Sequence, residues 1–439
     1  MAGPVAGSQR YLDLGHNLAS CGTLGLAGEE PGIIHAPLAQ LRAEQGQLPE
    51  PDTDGLRPEV YRTPGYPALI AAATVPGGDR HTLLLLQLTM SVVTVLLAMD
   101  LARVVTGSTA AAVLTGLVLA IHPGDAVFAT TIGPETMLSF TLAAALWLTA
   151  RGLTQGVLLV ALGGLALGVA ALVKPVAVLA LPLAGVYVLA AALPGRKFGM
   201  ALVLLLCAVL PIAGWMARNQ AQGVGLRLSS AGPIHAWCYG VAYMDIAENN
   251  GDRRRDWTAA AAERMTILRK QVHEGDDVLG LMTGLSIQEV TQRPATFFRM
   301  LGRGVVRYTL AESTGGLYRA LGREHKPDGV GEHLLRGQFG AAWSAGPEPV
   351  TASVEASWVL WNLMLFGMML AGAWRMLLQN HGAAAVLMLG LWVVFLLPGA
   401  MHDAEAMRAP ALAAQAVLAG AAFLVAPVVP RTPVRMAAR

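Results

Sequence analysis

The chain has 439 residues, of which 54% are hydrophobic and 14% charged, and its formal net charge is +2. A soluble domain carries about 25% charged residues. The composition therefore excludes a disordered chain, a nucleic-acid-binding tail and an ordinary soluble enzyme, and it points to a protein that crosses a membrane many times.

In chain order, residues 1–80 read as an external first loop. Met1–Ser8 has neither a basic start nor an apolar run, so it is no signal peptide. The loop thus has nothing ahead of it to carry it outward. The pattern favours a gene start placed too late, with an upstream helix missing, over a first span that exports its own N-terminus. Inside the loop, RTPGYP (62–67) precedes the apolar stretch Ala68–Val75. At about 1.5 Å per residue that stretch is too short to span, which fits an interfacial half-helix. Pro64 and Gly65 make its turn, and Tyr66 sits at the interface.

Region 81–217 holds six apolar stretches, at about 82–102, 107–121, 134–150, 155–173, 176–194 and 199–217. Region 218–354 concentrates charge and reads as an external, mainly helical segment. Its helices fall at Asp256–His273 and Ser286–Ala311, with Pro294 near a helix start and a glycine-rich loop at 322–349. Region 355–427 adds stretches at 355–375, 382–399 and 408–427, and 428–439 is a tail. The expected fold is therefore an all-α polytopic membrane protein with about nine transmembrane helices, since a bilayer core takes roughly 20 apolar residues per helix. Strand alternation is absent, which excludes a β-barrel as the main reading. Arg103, Arg151, Arg196, Lys197, Arg375 and the tail arginines fall on one side, which the positive-inside rule makes cytoplasmic. The long loops are then external. Trp147, Trp215 and Trp374 lie at span ends as interface anchors. The glycines of GGLALGVAAL (163–172) read as close helix packing. No 20–50-residue repeat, dinucleotide fingerprint, P-loop, zinc-protease motif or CxxC pair is present, and three cysteines (Cys21, Cys207, Cys238) build no disulfide framework.

Ionisable residues in or beside spans are expensive to keep. The chain has only four lysines, and Lys174 sits in ALVKPVAV, at the external end of a helix–Pro–helix corner. A compact cation with three donors there suits a phosphate; snorkelling to lipid headgroups is the plain alternative. Glu135 opens the third span in TIGPETMLSF, where the helix dipole alone favours an acid; the other reading is a substrate-facing carboxylate. His402, Asp403, Glu405 and Arg408 cluster before the last span in MHDAEAMRAP, with Glu405 and Arg408 spaced for a simple ion pair. Arg62 and Arg218 are further cations on the same external side. Three separate loops thus bring ionisable groups to one face. Acidic loop residues Glu29, Glu30, Glu50, Asp52 and Asp54 offer oxygen ligands to a divalent cation, but solvated loop charge is the stronger explanation of them; no residue is assigned to a metal, and the sequence names no cofactor beyond that divalent cation.

Seven elements, SQRYLDLGHNLA (8–19), RTPGYPALIAA (62–72), HPGDAVFATTIGPETML (122–138), GLALGVAALVKPVAVL (164–179), PIAGWMARNQAQG (211–223), TQRPATFFRML (291–301) and EAMRAPALAA (405–414), stand in one order along nearly the whole chain. In that order they resemble the bacterial integral-membrane glycosyltransferases of the C-type fold, similar to protein mannosyltransferases and to the transferases that add aminoarabinose to lipid A. The resemblance implies transfer of a sugar from a polyprenyl-phosphate donor to an acceptor hydroxyl at the external face of a bacterial inner membrane, with the C-terminus cytoplasmic. The acceptor is a lipid, glycan or protein, and nucleic acid is no partner. It assigns Lys174, Arg62, Arg408 and Arg218 to the donor phosphate, Glu135 or Asp13 to the general base, and Tyr66, His402 and Glu405 to supporting roles. The family also places an acid four positions before the tyrosine of the first loop. Here that tyrosine is Tyr11 and the position is Gly7, which cannot take a proton. A catalytically silent relative that binds polyprenyl lipid or assists an assembly is therefore a second reading. A transporter is a third, which the span-end location of the charges and the lack of matching halves disfavour.

Overall fold

Lipid offers no water to backbone N–H and C=O groups, so each apolar run must close its hydrogen bonds on itself. The computed structural model describes residues 6–28, 32–75, 77–249, 251, 253–310, 349–401 and 404–424. The first loop supplies α1 (Ala6–Cys21), α2 (His35–Glu44) and the half-helix α3 (Gly65–Thr74). Next come α4 (Arg80–Thr106), α5 (Thr109–Ala120), α6 (Pro123–Thr130), α7 (Glu135–Gln155), α8 (Val157–Val173), a 3-10 turn (Pro175–Leu179) leading into α9 (Ala180–Ala191), and α10 (Lys197–Ala221). The charged segment supplies α11 (Ala231–Ile234), a π-helical turn (His235–Val241), α12 (Ala242–Glu248), α13 (Arg253–Gln271), α14 (Val278–Gln292) and α15 (Pro294–Leu310). Finally come α16 (Pro349–Leu378), α17 (Gly382–Met401) and α18 (Ala404–Ala421). The glycine-rich stretch expected at 322–349 falls almost wholly outside the described residues.

Within the described residues all nine apolar stretches are mainly helical, but they are not equal. Among the described residues five helices are long and apolar enough to cross a membrane: α4, α7, α10, Ser357–Leu378 within α16, and Gly382–Gly399 within α17. A sixth span arises if α5 and α6, bent by 56° at His122, count as one. Val157–Val173, Pro175–Ala191 and Pro410–Ala421 are apolar but shorter. Proline explains part of the shortfall: Pro123 and Pro175 each begin a new helical turn, because the residue before a proline is pushed out of the helical region. The outer helices carry bare apolar surface, with Leu85 63% and Leu210 68% exposed, a surface suited to lipid rather than water.

Local signals set the helix ends. Asp79 and Thr82 form a capping box on α4, Gly107 closes it at φ +69°, and Ser108 caps α5 by accepting from Ala111 N. Gly156 alone, at φ +132°, turns α7 back into α8, so the two pack antiparallel. A Cβ on Gly163 would meet Thr149 of α7 at 2.5 Å, and one on Gly164 would meet the Leu204 carbonyl of α10 at 2.2 Å. The glycine stripe thus lets α8 lie tightly between both neighbours. At the far end of this bundle Asp100 of α4 accepts from Trp147 Nε1 at 2.6 Å and from Arg151 of α7 at 2.6–2.9 Å.

Two features depart from a purely helical reading with separate external pieces. β1 (Gly25–Leu26) and β2 (Arg57–Pro58) pair antiparallel, Gly25 opposite Pro58 and Leu26 opposite Arg57. A ladder of two residues is too short to leave an alternating pattern. The first loop and the later charged segment also share one core, in which Ile34, Leu38, Leu41 and Val60 pack with Trp237, Leu268, Leu279 and Met282. An ion network locks that segment: Arg264 bonds Asp245 and Glu289, and Arg293 bonds Asp245, Glu248 and Glu289, all at 2.5–2.9 Å.

Candidate active site

Antiparallel packing of α7 and α8 puts the N-terminus of one beside the C-terminus of the other. Glu135 is the first residue of α7, where the helix dipole favours an acid, and Lys174 ends α8, where it favours a cation. Pro175 holds Lys174 extended (φ −142°, ψ 124°). The two side chains meet: Lys174 Nζ donates to Glu135 Oε1 at 2.9 Å. They stay 17% and 12% exposed, so the pair is shielded but still reachable from the surface. A Cβ on Gly133 would meet Glu135 Oε2 at 2.4 Å, so the carboxylate folds back over a residue with no side chain.

The loop before α3 docks on this corner. Thr63 Oγ1 donates to the Val173 carbonyl at 3.2 Å, and a Cβ on Gly65 would meet the Leu172 carbonyl at 2.7 Å. That approach fixes Arg62. Its guanidinium lies over the rings of Tyr11, at 5.4 Å, and Tyr61, at 5.2 Å, and 3.7 Å from Glu59 Oε2. Glu59 is itself buried and accepts from the amides of Tyr61 (2.6 Å) and Arg62 (2.9 Å). Tyr66 is sealed in, sets its ring edge-on to Tyr11 at 5.2 Å, and donates to Gln87 Oε1 at 2.6 Å. Gln87 of α4 in turn donates to the Thr131 carbonyl at 2.7 Å.

Tyr11 is the hub. Burial pushes its phenol up; the positive charges of Arg62 and Lys174 oppose this, and the negative charges of Glu135 and Glu59 add to it. Burial pushes the Tyr66 phenol up as well. Both tyrosines therefore stay neutral across the physiological range and act as hydrogen-bonding groups rather than bases.

Of the residues singled out in the sequence, Arg62, Tyr66, Glu135 and Lys174 thus come together. Arg218 sits apart: its Nη1 donates to the Glu59 carbonyl (2.7 Å) and Asn219 Oδ1 (3.0 Å), its Nη2 donates to the Leu24 carbonyl (3.3 Å), and its guanidinium covers Trp215. It ties the end of α10 to the first loop. Asp13 accepts from Gln9 Nε2 on the solvent side of α1. Two residues are about 200° around a helix, so Asp13 points away from Tyr11. Gly7 lies one turn before Tyr11 in the same helix. His402 and the side chains of Glu405 and Arg408 lie outside the described residues; the backbone of 405 and 408 belongs to the first turns of α18. Asp52 accepts from the amides of Asp54 and Leu56 and so holds its own turn.

Sequence reasoning gave no role to Glu59, Gln87 or the ring of Tyr11. Glu59 stands three residues before Arg62, an ion-pair spacing that was the one available signal.

A family model described as dolichyl-phosphate-mannose-protein mannosyltransferase matches residues 61–215. That stretch holds Arg62, Tyr66, Glu135 and Lys174 and leaves out Tyr11, Glu59 and Arg218. The match supports a membrane glycosyltransferase family, in keeping with the five or six candidate membrane spans among the described residues. No curated protein and no solved structure matches the chain.

Proposed function

We propose that the protein transfers a sugar from a polyprenyl-phosphate donor to an acceptor hydroxyl at the external membrane face. The observation that carries this reading is the meeting of Lys174, Glu135 and Arg62 around Tyr11 at one end of the apolar bundle. In the reaction the acceptor oxygen bonds to the anomeric carbon, the bond from that carbon to the phosphate oxygen breaks, and polyprenyl phosphate leaves. Charge grows on the phosphate, where Lys174 and Arg62 would stabilise it. The donor phosphate competes with Glu135 for the Lys174 ammonium, so donor binding frees the carboxylate, which then takes the acceptor proton. Tyr11 and Tyr66 hold the surrounding groups in place. The full set of nine membrane-crossing helices, the external position of both long loops, and a bacterial inner-membrane location belong to the same proposal. In it, the three shorter apolar helices cross where the bilayer thins around them, or as broken spans.

A second reading is specifically favoured by Gly7: a relative that binds the lipid without transferring sugar. Mass spectrometry of lipids retained by the gently purified protein, wild type beside Lys174→Ala, tests the first step. A polyprenyl phosphate or its sugar adduct in wild type, depleted in the variant, is the expected result. Ordinary phospholipid alone in both would remove the donor site. Retained donor that never passes its sugar to any acceptor would favour the silent relative.

A further inference from the structure

The apolar bundle holds a small polar chamber of its own. Ser91 and Thr94 of α4, Asp125 and Phe128 of α6, and Thr136 and Ser139 of α7 line a cavity of about 10 Å³. Each hydroxyl pair is spaced three residues apart, so both members face the same way from one helix. Ser91 and Thr94 lie near the middle of α4, and α6 belongs to the bent pair of apolar helices. Polar and ionisable side chains are costly in such a place unless something answers them.

The chamber is under-satisfied. Thr136 and Ser139 are each 6% exposed, and neither hydroxyl has a hydrogen-bond partner. Further along the same helix Thr141 and Thr149 bond the carbonyl one turn back, at 2.9 and 2.7 Å; Ser139 does not. Thr94 gives its proton to the Met90 carbonyl at 2.7 Å, which leaves its oxygen lone pairs for another partner. Asp125 is half-buried, and among the described residues it has neither a hydrogen bond nor an ion pair. Its place in the first turn of α6 suits a carboxylate through the helix dipole, but that does nothing for the two hydroxyls.

Size, charge and ligand type choose the occupant. The space is that of about one water-sized sphere, too small for a phosphate, a sugar or an organic amine. One carboxylate is cancelled by one positive charge; a divalent ion would leave net charge away from water, which is costly. Among the described residues no three His, Cys, Asp or Glu side chains gather to hold such an ion. Carboxylate and hydroxyl oxygens are hard donors, which suit a hard cation. A proton on Asp125 would also cancel the charge, but one O–H serves one hydroxyl and leaves the others unanswered. We propose that this chamber binds one monovalent alkali cation, namely sodium, the common one clearly smaller than a water molecule. Its ligands are the Asp125 carboxylate and the hydroxyl oxygens of Ser91, Thr94, Thr136 and Ser139. The ion ties α4, α6 and α7 together. Thr136 directly follows Glu135, so the ion also steadies the turn that presents that acid. The cation site itself does not rest on the transferase reading.

The test uses the full-length protein in detergent, exchanged into sodium-free buffer, with sodium chloride and choline chloride at equal concentration as probes. Melting temperature should rise by a few degrees in sodium and saturate with its concentration, as binding to the folded state alone requires. Asp125→Asn keeps the shape of the side chain and removes its charge, and should abolish that sodium-dependent rise. Ser139→Ala is the milder change and should raise the half-saturating sodium concentration roughly three- to tenfold, the effect of losing one uncharged contact. Wild type that melts alike in sodium and choline overturns the site. A sodium-dependent rise of wild-type size in Asp125→Asn overturns it as well, by placing the ion elsewhere. Should Asp125→Asn fail to fold, Ser139→Ala decides alone, and an unchanged half-saturating concentration there overturns the site. None of these readouts involves lipid or sugar, so the site and the transferase reading stand or fall separately.

Discussion

Lys174 and Glu135 illustrate what a single residue type reveals. Each stood out in the sequence because a charge beside a span is expensive, yet each also had an ordinary explanation in the helix dipole. Their contact at 2.9 Å shows that they answer one another. A shielded pair of this kind makes a sharp prediction. Lys174→Ala should lower transfer roughly ten- to a hundredfold and also cost about 1–3 kcal/mol of stability, because it strands the Glu135 carboxylate. Adding Glu135→Gln should restore much of the melting temperature without restoring transfer. A double variant that transfers at the wild-type rate would make the pair a mere structural clasp. Glu59 and Tyr11 were not legible in this way. Glu59 reads as one more loop acid until the fold buries it under Arg62, and Tyr11 gains its surroundings only when α1 packs on α3.

Among the elements, close backbone approach decides which loops reach the site. A Cβ on Gly65 would press on the Leu172 carbonyl, a backbone atom that cannot swing aside. Gly65→Ala should therefore lift the docking loop off α8 at a cost of about 1–3 kcal/mol, and retained lipid should fall with it. Gly214 of α10 has nothing within 4 Å of a built Cβ, so Gly214→Ala should leave melting unchanged or raise it by up to about 1 kcal/mol. Equal losses at both positions would argue against loop docking as the cause. The charged segment depends instead on Arg264, 7% exposed and held by Asp245 and Glu289. Arg264→Met leaves Asp245 and Glu289 to share Arg293 alone and should cost about 1–3 kcal/mol, seen as weakened protection of the shared core of α2, α13 and α14 in hydrogen exchange. Acid acts on the same region through Asp277, whose carboxyl the Arg227 hydrogen bond holds below the usual aspartate range. A depressed folded-state pKa stabilises fully above the ordinary value of about 3.9 and fades as pH falls through the lower folded value. Asp277→Asn should flatten that acid limb in melting curves taken between pH 7 and pH 2.

For the whole molecule, the proposed orientation puts α1 and the charged segment on the external side. Cys21 is exposed at the end of α1, whereas Cys238 is fully buried and its thiol is pushed up to about 12. In a Cys207→Ser background, a membrane-impermeant maleimide added to spheroplasts should label Cys21 and leave Cys238 until the chain is denatured. Labelling of Cys21 only after lysis would invert the topology.

The sequence by itself determined that the chain is helical and apolar, where its nine apolar helices run, and that Arg62, Glu135 and Lys174 belong on one list. Burial in lipid leaves no alternative to the helix, and charge near lipid is costly enough to be conspicuous. Only the tertiary structure decided that Lys174 pairs with Glu135, that Arg218 serves main-chain carbonyls, that some of the apolar helices are too short to span by length alone, and that the first loop shares a core with a segment nearly 200 residues away. Those outcomes depend on which surfaces come within a few ångströms of each other, and periodicity along one chain carries no information about distance between its parts.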